Sequence, residues 1–153
     1  MEQRVAIEGG AILTDGSDSG NAALAYFASH ADIRPQAAAM RAFAVAMGRG
    51  GAFFLDVETR RWVVRPYRRG GLVALVSEDR YLWTGEQNVR SFREWRMLAA
   101  LRAQGLPVPA PVAARYRREG PSYRAELITE RLDATEPLSV RLEREILSLT
   151  IWL

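Results

Sequence analysis

The sequence predicts an α+β fold in which a five-stranded antiparallel sheet is covered by one main helix. Apolar residues alternate with other residues in five short segments, which is typical of strands with one buried face. One longer segment has its apolar residues at helical spacing. The chain has 153 residues, enough for one ordinary domain and too few for two comfortable ones.

The predicted strands form a pair around a glycine cluster, then a single strand, then a hairpin. They are residues 43–47, 53–57, 62–67, 112–118 and 123–129. Pro66 is tolerated because it lies near the end of its strand. Before them, residues 5–14 contain short β-like pieces broken by Gly9 and Gly10, a loop is expected over 15–21, and residues 22–30 have helical spacing.

The main helix is predicted over residues 87–104. Its apolar residues recur every three or four positions, at Val89, Phe92, Trp95, Leu98 and Leu101. Thr84, with Gln87 three residues later, resembles a capping box that would open the helix. Gly105 is expected to end it.

Composition indicates a folded globular chain. Hydrophobic residues make up 48% of the total and charged residues 25%, whereas disordered chains have few apolar residues. No apolar run approaches the roughly 20 residues that cross a bilayer, and the first residues lack the basic and apolar regions of a signal peptide. The absence of cysteine excludes disulfides and thiolate chemistry.

All 21 basic residues are arginine, so any phosphate-binding role that lysine fills in other proteins has to be filled by arginine. The charge is uneven. Residues 1–59 carry 4 arginines against 7 acidic residues, and residues 60–153 carry 17 against 11. A basic part of this kind favours nucleotide phosphates, nucleic acid or an anionic membrane surface.

The glycine cluster between the first two strands is a candidate phosphate-binding turn; it consists of Gly48, Arg49, Gly50 and Gly51. Glycine lets the backbone approach a ligand closely, and successive N–H groups can hold phosphate oxygens. A plain hairpin turn is the alternative. Arg65, on the third strand, stands where a kinase places its phosphate-binding cation; the alternative is a solvated arginine in a basic segment.

Glu94 is the candidate partner for that cation. On the main helix it borders the apolar face, because Leu98 and Leu101 follow at the fourth and seventh positions. A carboxylate there needs a charged partner to offset its desolvation. Arg65 is the partner in the kinase arrangement, and Arg90, four residues earlier on the helix, is the local alternative.

Five strings in fixed order carry a resemblance to a known family: residues 67–72, 79–85, 91–94, 105–114 and 123–132. Together they resemble the 3-deoxy-D-manno-octulosonic acid (Kdo) kinases, a lipopolysaccharide-kinase group with a protein-kinase-like fold. The similarity extends from about residue 48 to residue 132. It implies that the predicted sheet and helix are the N-terminal lobe of such a fold.

The resemblance implies ATP-dependent phosphorylation of the 4-hydroxyl of a Kdo sugar on the lipid A inner core. ATP and Kdo–lipid A are then the partners, magnesium is expected from the family, and no nucleic acid partner is expected. The implied location is the cytoplasmic face of the bacterial inner membrane, with peripheral contact to its anionic surface. The implied nucleotide-binding residues are Gly48, Arg49, Gly50 and Gly51 over the phosphates, Arg65 paired with Glu94, and Glu130 to Leu132 as hinge backbone for adenine.

The sequence departs from the family after Leu132. Such kinases use a catalytic-loop aspartate, a nearby asparagine and a second aspartate for magnesium. After Leu132 the chain has one aspartate, Asp133, and neither histidine nor asparagine. The expectation is an N-terminal lobe without its catalytic lobe: no catalytic residue or metal ligand is assigned, and the isolated chain is expected to be inactive.

The predicted organisation is an N-terminal extension over residues 1–40, a kinase-like N-lobe over 41–132, and a hinge remnant with an atypical tail over 133–153. Two other functions fit parts of the sequence. One is an arginine-rich module that binds anionic membrane or nucleic acid without catalysis, indifferent to ATP and strongly salt-dependent. The other is a structural remnant with no ligand.

Overall fold

The α+β class is confirmed by a computed structural model, which describes residues 1–30, 52–67 and 80–132. The described part contains seven strands and two α-helices. In chain order they are β1 (Gln3–Ile7), β2 (Gly10–Thr14), α1 (Asp18–Ser29), β3 (Phe53–Val57), β4 (Arg60–Pro66), β5 (Tyr81–Leu82), α2 (Arg90–Ala103), β6 (Pro111–Glu119) and β7 (Ser122–Glu130).

All seven strands join one antiparallel sheet, in the order β1-β2-β6-β7-β4-β3. The short strand β5 pairs with the beginning of β7, beyond the point where β4 ends. The predicted count of five strands is therefore wrong for the described residues, because β1, β2 and β5 also pair into the sheet. The strand predicted over 43–47 lies outside the described residues.

The β1–β2 hairpin reaches the sheet through β2, which runs antiparallel to β6. Gly10 makes this approach possible. A Cβ atom at Gly10 would lie 2.0 Å from the carbonyl oxygen of Tyr116, far closer than two such atoms can come. The sequence predicted only short β-like pieces over residues 5–14. In the structure these residues extend the sheet beyond β6.

Helix α1 begins at Asp18, four residues before the predicted start at residue 22. The side chain of Ser17 caps it by accepting a hydrogen bond from the N–H of Gly20. The prediction of a loop over 15–21 was wrong for its second half because Ser, Asp and Gly are common both in turns and at helix N-termini.

Helix α2 ends as predicted and begins later than predicted. The capping box at Thr84 is absent: residues Glu86–Asn88 form a 3-10 turn, Val89 is extended and fully buried, and the helix starts at Arg90 without a side-chain cap. At the other end, Gly105 adopts a positive φ of 78°. The N–H groups of Gly105 and Leu106 then bond the carbonyls of Arg102 and Leu101, which is a Schellman ending.

The two helices cover opposite faces of the sheet, so the core has two layers. Three residues of the predicted stripe, Phe92, Trp95 and Leu98, bury one face of α2 against β6 and β7, and the extended Val89 belongs to the same core cluster. Ala23 and Phe27 of α1 pack on the other face, against Trp62 and Val64 of β4 and against Ile128. Within the described residues, no helix is long and apolar enough to span a membrane.

A buried ion pair fastens α1 to the sheet. Arg115 of β6 and Glu126 of β7 are cross-strand neighbours whose side chains are only 2% and 5% exposed, and they form a salt bridge. Arg115 Nη1 also donates to the carbonyl oxygens of Phe27 (3.1 Å) and His30 (2.8 Å) at the end of α1. A cation at a helix C-terminus is favoured by the helix dipole.

We expect Arg115→Ala to lower the free energy of unfolding by about 3–5 kcal/mol, because it leaves the Glu126 carboxylate buried without its cation. The double variant Arg115→Met/Glu126→Leu removes both charges and should recover a large part of that loss. Urea unfolding monitored by circular dichroism measures both. Arg102→Ala, at an exposed position of α2, is the control and should stay within about 0.5 kcal/mol of the wild type; an equal effect at both arginines contradicts the assignment.

Candidate functional site

The predicted cation and carboxylate meet in the structure. Arg65 Nη2 donates to Glu94 Oε1, and the hydroxyl of Tyr67 donates to Glu94 Oε2. Both oxygens of one carboxylate are therefore bound, one by a guanidinium and one by a phenol. These three side chains form the cluster that we call the Glu94 cluster.

The cluster follows from the different periodicities of a strand and a helix. Along β4, Trp62 and Val64 point to the α1 face, so Arg65 and Tyr67 point to the α2 face. On α2, Trp95 is buried against the sheet, and Glu94 lies about 100° around the helix from it. Glu94 thus stands at the flank of the helix that borders β4.

Exposure differs across the Glu94 cluster. The side chain of Glu94 is 27% exposed and that of Arg65 is 43% exposed. Burial, followed by the hydrogen bond to Glu94, raises the pKa of Tyr67 well above its ordinary value, so the phenol keeps its proton at neutral pH. Arg65 is therefore oriented by Glu94 while its side chain stays partly exposed.

Of the two partners considered for Glu94, Arg65 is confirmed and Arg90 is wrong. The guanidinium carbon of Arg90 lies 4.9 Å from the ring centroid of Tyr81, and its backbone N–H donates to the hydroxyl of Tyr123. Spacing alone could not decide between them, because the contact with Arg65 depends on how α2 lies across the sheet.

The strand that follows the glycine cluster enters the sheet next to Arg65. Phe53, the first residue of β3, pairs with Val64, and continuing this antiparallel register places Ala52 opposite Arg65. Gly48, Arg49, Gly50 and Gly51 lie outside the described residues. Their contact with phosphate stays a prediction.

The predicted hinge residues begin at Glu130, the last residue of β7, and continue to Leu132. The N–H of Glu130 donates to the carbonyl of Ala110, and the N–H of Arg131 donates to the carbonyl of Arg61. Leu132 is 43% exposed. The N–H groups of Glu130 and Arg131 are thus engaged by the backbone around the sheet, and the adenine-binding role of Glu130 and Leu132 stays a prediction.

Sequence reasoning missed Tyr67 as a member of the Glu94 cluster. The signal was present, because Tyr67 follows Arg65 by two positions and so shares its face of the strand. For metal binding, residues 1–30, 52–67 and 80–132 contain no group of three or more histidine, cysteine, aspartate or glutamate side chains placed to hold an ion. We assign no residue to magnesium.

Curated relatives match the chain over about 60% of its length. A 3-deoxy-D-manno-octulosonic acid kinase of Stenotrophomonas maltophilia (strain K279a) is 49% identical over 94 residues, which cover 61% of this chain and 38% of that protein. Proteins of the same name from Xanthomonas oryzae pv. oryzae (strain PXO99A) and Xanthomonas campestris pv. campestris (strain B100) are 52% and 51% identical over 92 residues, 60% of this chain and 37% of each relative.

The chain thus matches less than two fifths of the length of these relatives. No solved structure matches it at a significant level. The model of the lipopolysaccharide kinase (Kdo/WaaP) family matches residues 36–148, which is well over half of the chain. On this match, the chain belongs to the lipopolysaccharide kinase (Kdo/WaaP) family.

Proposed function

We propose that this protein takes part in the ATP-dependent phosphorylation of the 4-hydroxyl of Kdo in the lipopolysaccharide inner core. In this proposal, residues of the sheet and of helix α2 bind the nucleotide. The observation that carries the proposal is the ion pair between Arg65 on a strand and Glu94 on the following helix. In protein kinases a strand cation and a helix carboxylate form such a pair, and the cation contacts the phosphates of ATP.

The chemistry of the Glu94 cluster fits this role. Arg65 carries a permanent charge and presents several N–H donors in one plane, of which Glu94 engages one nitrogen. The remaining donors can bind phosphate oxygens as charge-assisted hydrogen bonds. Phosphoryl transfer depends mainly on positioning and on stabilising charge at the phosphate oxygens, and a fixed guanidinium contributes to both.

The acceptor is proposed from the relatives. Several of them are named 3-deoxy-D-manno-octulosonic acid kinases and are about half identical to this chain over the matched part. Transfer to a Kdo sugar is the reaction that those names describe. The 4-hydroxyl as the target is the more specific part of the proposal.

Arg65→Ala should weaken ATP binding by about tenfold or more, because it removes charge-assisted hydrogen bonds to phosphate. Glu94→Gln should weaken binding by a smaller factor, since it keeps the shape of the side chain and releases Arg65 from its orientation. Titration with a fluorescent ATP analogue measures both. Arg102→Ala removes an exposed arginine from the same lobe and is the control; equal affinities for Arg65→Ala and the wild type would contradict the assignment.

Transfer to Kdo is tested in a chimera. The part of the Stenotrophomonas maltophilia kinase that this chain matches is replaced with the matching 94 residues of this chain, and label from ATP is followed onto Kdo–lipid A. We expect the chimera to phosphorylate the 4-hydroxyl, as read by NMR of the product, and Arg65→Ala to slow it by about a hundredfold. A folded chimera that binds ATP and leaves Kdo unmodified would refute the substrate assignment. That residues 1–153 alone transfer no phosphate stays a prediction, which the same assay tests.

We also propose peripheral binding at the cytoplasmic face of the inner membrane. Five of the ten residues from 60 to 69 are arginine and none is acidic. Arg60 and Arg61 lie on β4 and precede the Glu94 cluster in the same strand. Basic side chains near an anionic lipid surface each contribute about 1 kcal/mol, which supports contact between this end of β4 and the leaflet that carries the acceptor.

Co-sedimentation with phosphatidylglycerol-containing vesicles should retain the protein, and vesicles of phosphatidylcholine alone should not. The double variant Arg60→Gln/Arg61→Gln should weaken retention by up to about thirtyfold. Arg93→Gln/Arg102→Gln, at two exposed positions of α2, removes the same number of charges; it is the matched control and should weaken retention less. Retention that is insensitive to salt and to Arg60→Gln/Arg61→Gln would contradict the proposal.

A further inference from the structure

Two ion pairs tie the edge strand β1 to helix α2 and the turn before it. Arg4 donates from Nε to Glu86 Oε1 at 2.7 Å and from Nη2 to Oε2 at 2.8 Å. Arg96 donates from Nη2 to Glu2 Oε1 at 2.7 Å and from Nε to Oε2 at 3.0 Å. Both pairs have the two-pronged geometry that fixes the relative orientation of its members.

The first of these pairs is also anchored in the core. The hydroxyl of Tyr116 donates to Glu86 Oε2 at 2.6 Å. Burial and the nearby carboxylate raise the pKa of Tyr116 to about 12, so this donor stays protonated at neutral pH. The arginines hold the pKa of Glu86 and that of Glu2 below their ordinary value, which is the sign of favourable contacts in the folded state.

On α2, Arg96 and Glu94 lie on opposite flanks of the buried Trp95. Successive residues are 100° apart on a helix, so one side chain leaves the core face toward one edge of the sheet and the other toward the opposite edge. Glu94 reaches β4, and Arg96 reaches Glu2, the residue directly before β1. In the sheet, β2, β6 and β7 separate those two strands. The helix is thus held by an ion pair on each side.

We propose that Glu2 and Arg4 are positioning residues: through Arg96 and Glu86 they fix the rotation and placement of α2 that bring Glu94 to Arg65. The inference rests on the proposed nucleotide-binding function of Arg65. The apolar contacts of Phe92, Trp95 and Leu98 hold the helix on the sheet without directional bonds, and Ser91 Oγ donates to the carbonyl of Arg115 at 3.1 Å near the start of the helix. The two-pronged pairs of Glu2 and Arg4 add directional contacts before and after that point.

Charge exchange across the Glu2–Arg96 pair tests the inference. Glu2→Arg and Arg96→Glu each place like charges opposite one another, and the double variant Glu2→Arg/Arg96→Glu restores an opposite pair. We expect each single variant to weaken binding of a fluorescent ATP analogue by about fivefold, the size expected when a modest surface pair is replaced by repulsion. The double variant should recover most of the affinity. Arg93→Glu makes the same charge change on the exposed side of α2 and should have little effect.

A second measurement reads the Glu94 cluster without nucleotide. The ring carbon that bears the hydroxyl of Tyr67 reports its hydrogen bond to Glu94 in a carbon-13 NMR spectrum, and Tyr67→Phe assigns the signal. The single charge-reversal variants should shift this signal, and the double variant should return it to the wild-type position. This holds whether or not the chain binds ATP, so failure of the nucleotide proposal is distinguishable from failure of this one.

Thermal unfolding completes the test, because a merely structural role lowers stability without moving the Glu94 cluster. A fall in melting temperature in the single variants, with the Tyr67 signal and the ATP affinity both unchanged in the folded protein, would overturn the inference. So would single variants that move the Tyr67 signal with no recovery in the double variant.

Discussion

The central hairpin β6–β7 is covered on both faces, and the rest of the structure depends on this double burial. Five consecutive residues of β6, Val112 to Tyr116, and six of β7, Tyr123 to Ile128, are buried. A strand with one solvated face would alternate in polarity, whereas this hairpin places Arg115 and Glu126 in the interior. Burial of either charge alone is strongly unfavourable, so their pairing is a condition for α1 to pack against the sheet.

The same arrangement explains why the charged side chains of the Glu94 cluster are only partly buried. The apolar side of α2 faces β6 and β7. The two flanks of the helix therefore lie at the border between core and solvent. A carboxylate at that border keeps part of its hydration and gains a guanidinium and a phenol. Arginine suits this position better than lysine would, because one nitrogen can remain with the carboxylate while others face an anion.

Local sequence patterns predicted the strands and the helix that carry the site. They did not predict how the first strands of the chain pair with the rest of the sheet. Alternation identified β3, β4, β6 and β7, helical spacing identified α2, and Arg65 and Glu94 were selected by their chemistry on those elements. The start of α2 was predicted too early, because the Thr84–Gln87 spacing imitates a capping box while tertiary packing keeps Val89 extended and buried. Pairing of β2 with β6 joins residues about a hundred positions apart, and no local signal encodes it. Glu2 and Arg4 were missed for that reason.

Gly10 connects the first strands of the chain to the chemistry of the site. Its backbone touches the carbonyl of Tyr116 with no room for a side chain, so any substitution there must push β2 away from β6. Since β1 pairs only with β2 among the described strands, the ion pairs of Glu2 and Arg4 would move with it. A small residue in a strand remote from the Glu94 cluster should therefore tolerate as few substitutions as the residues of the cluster itself.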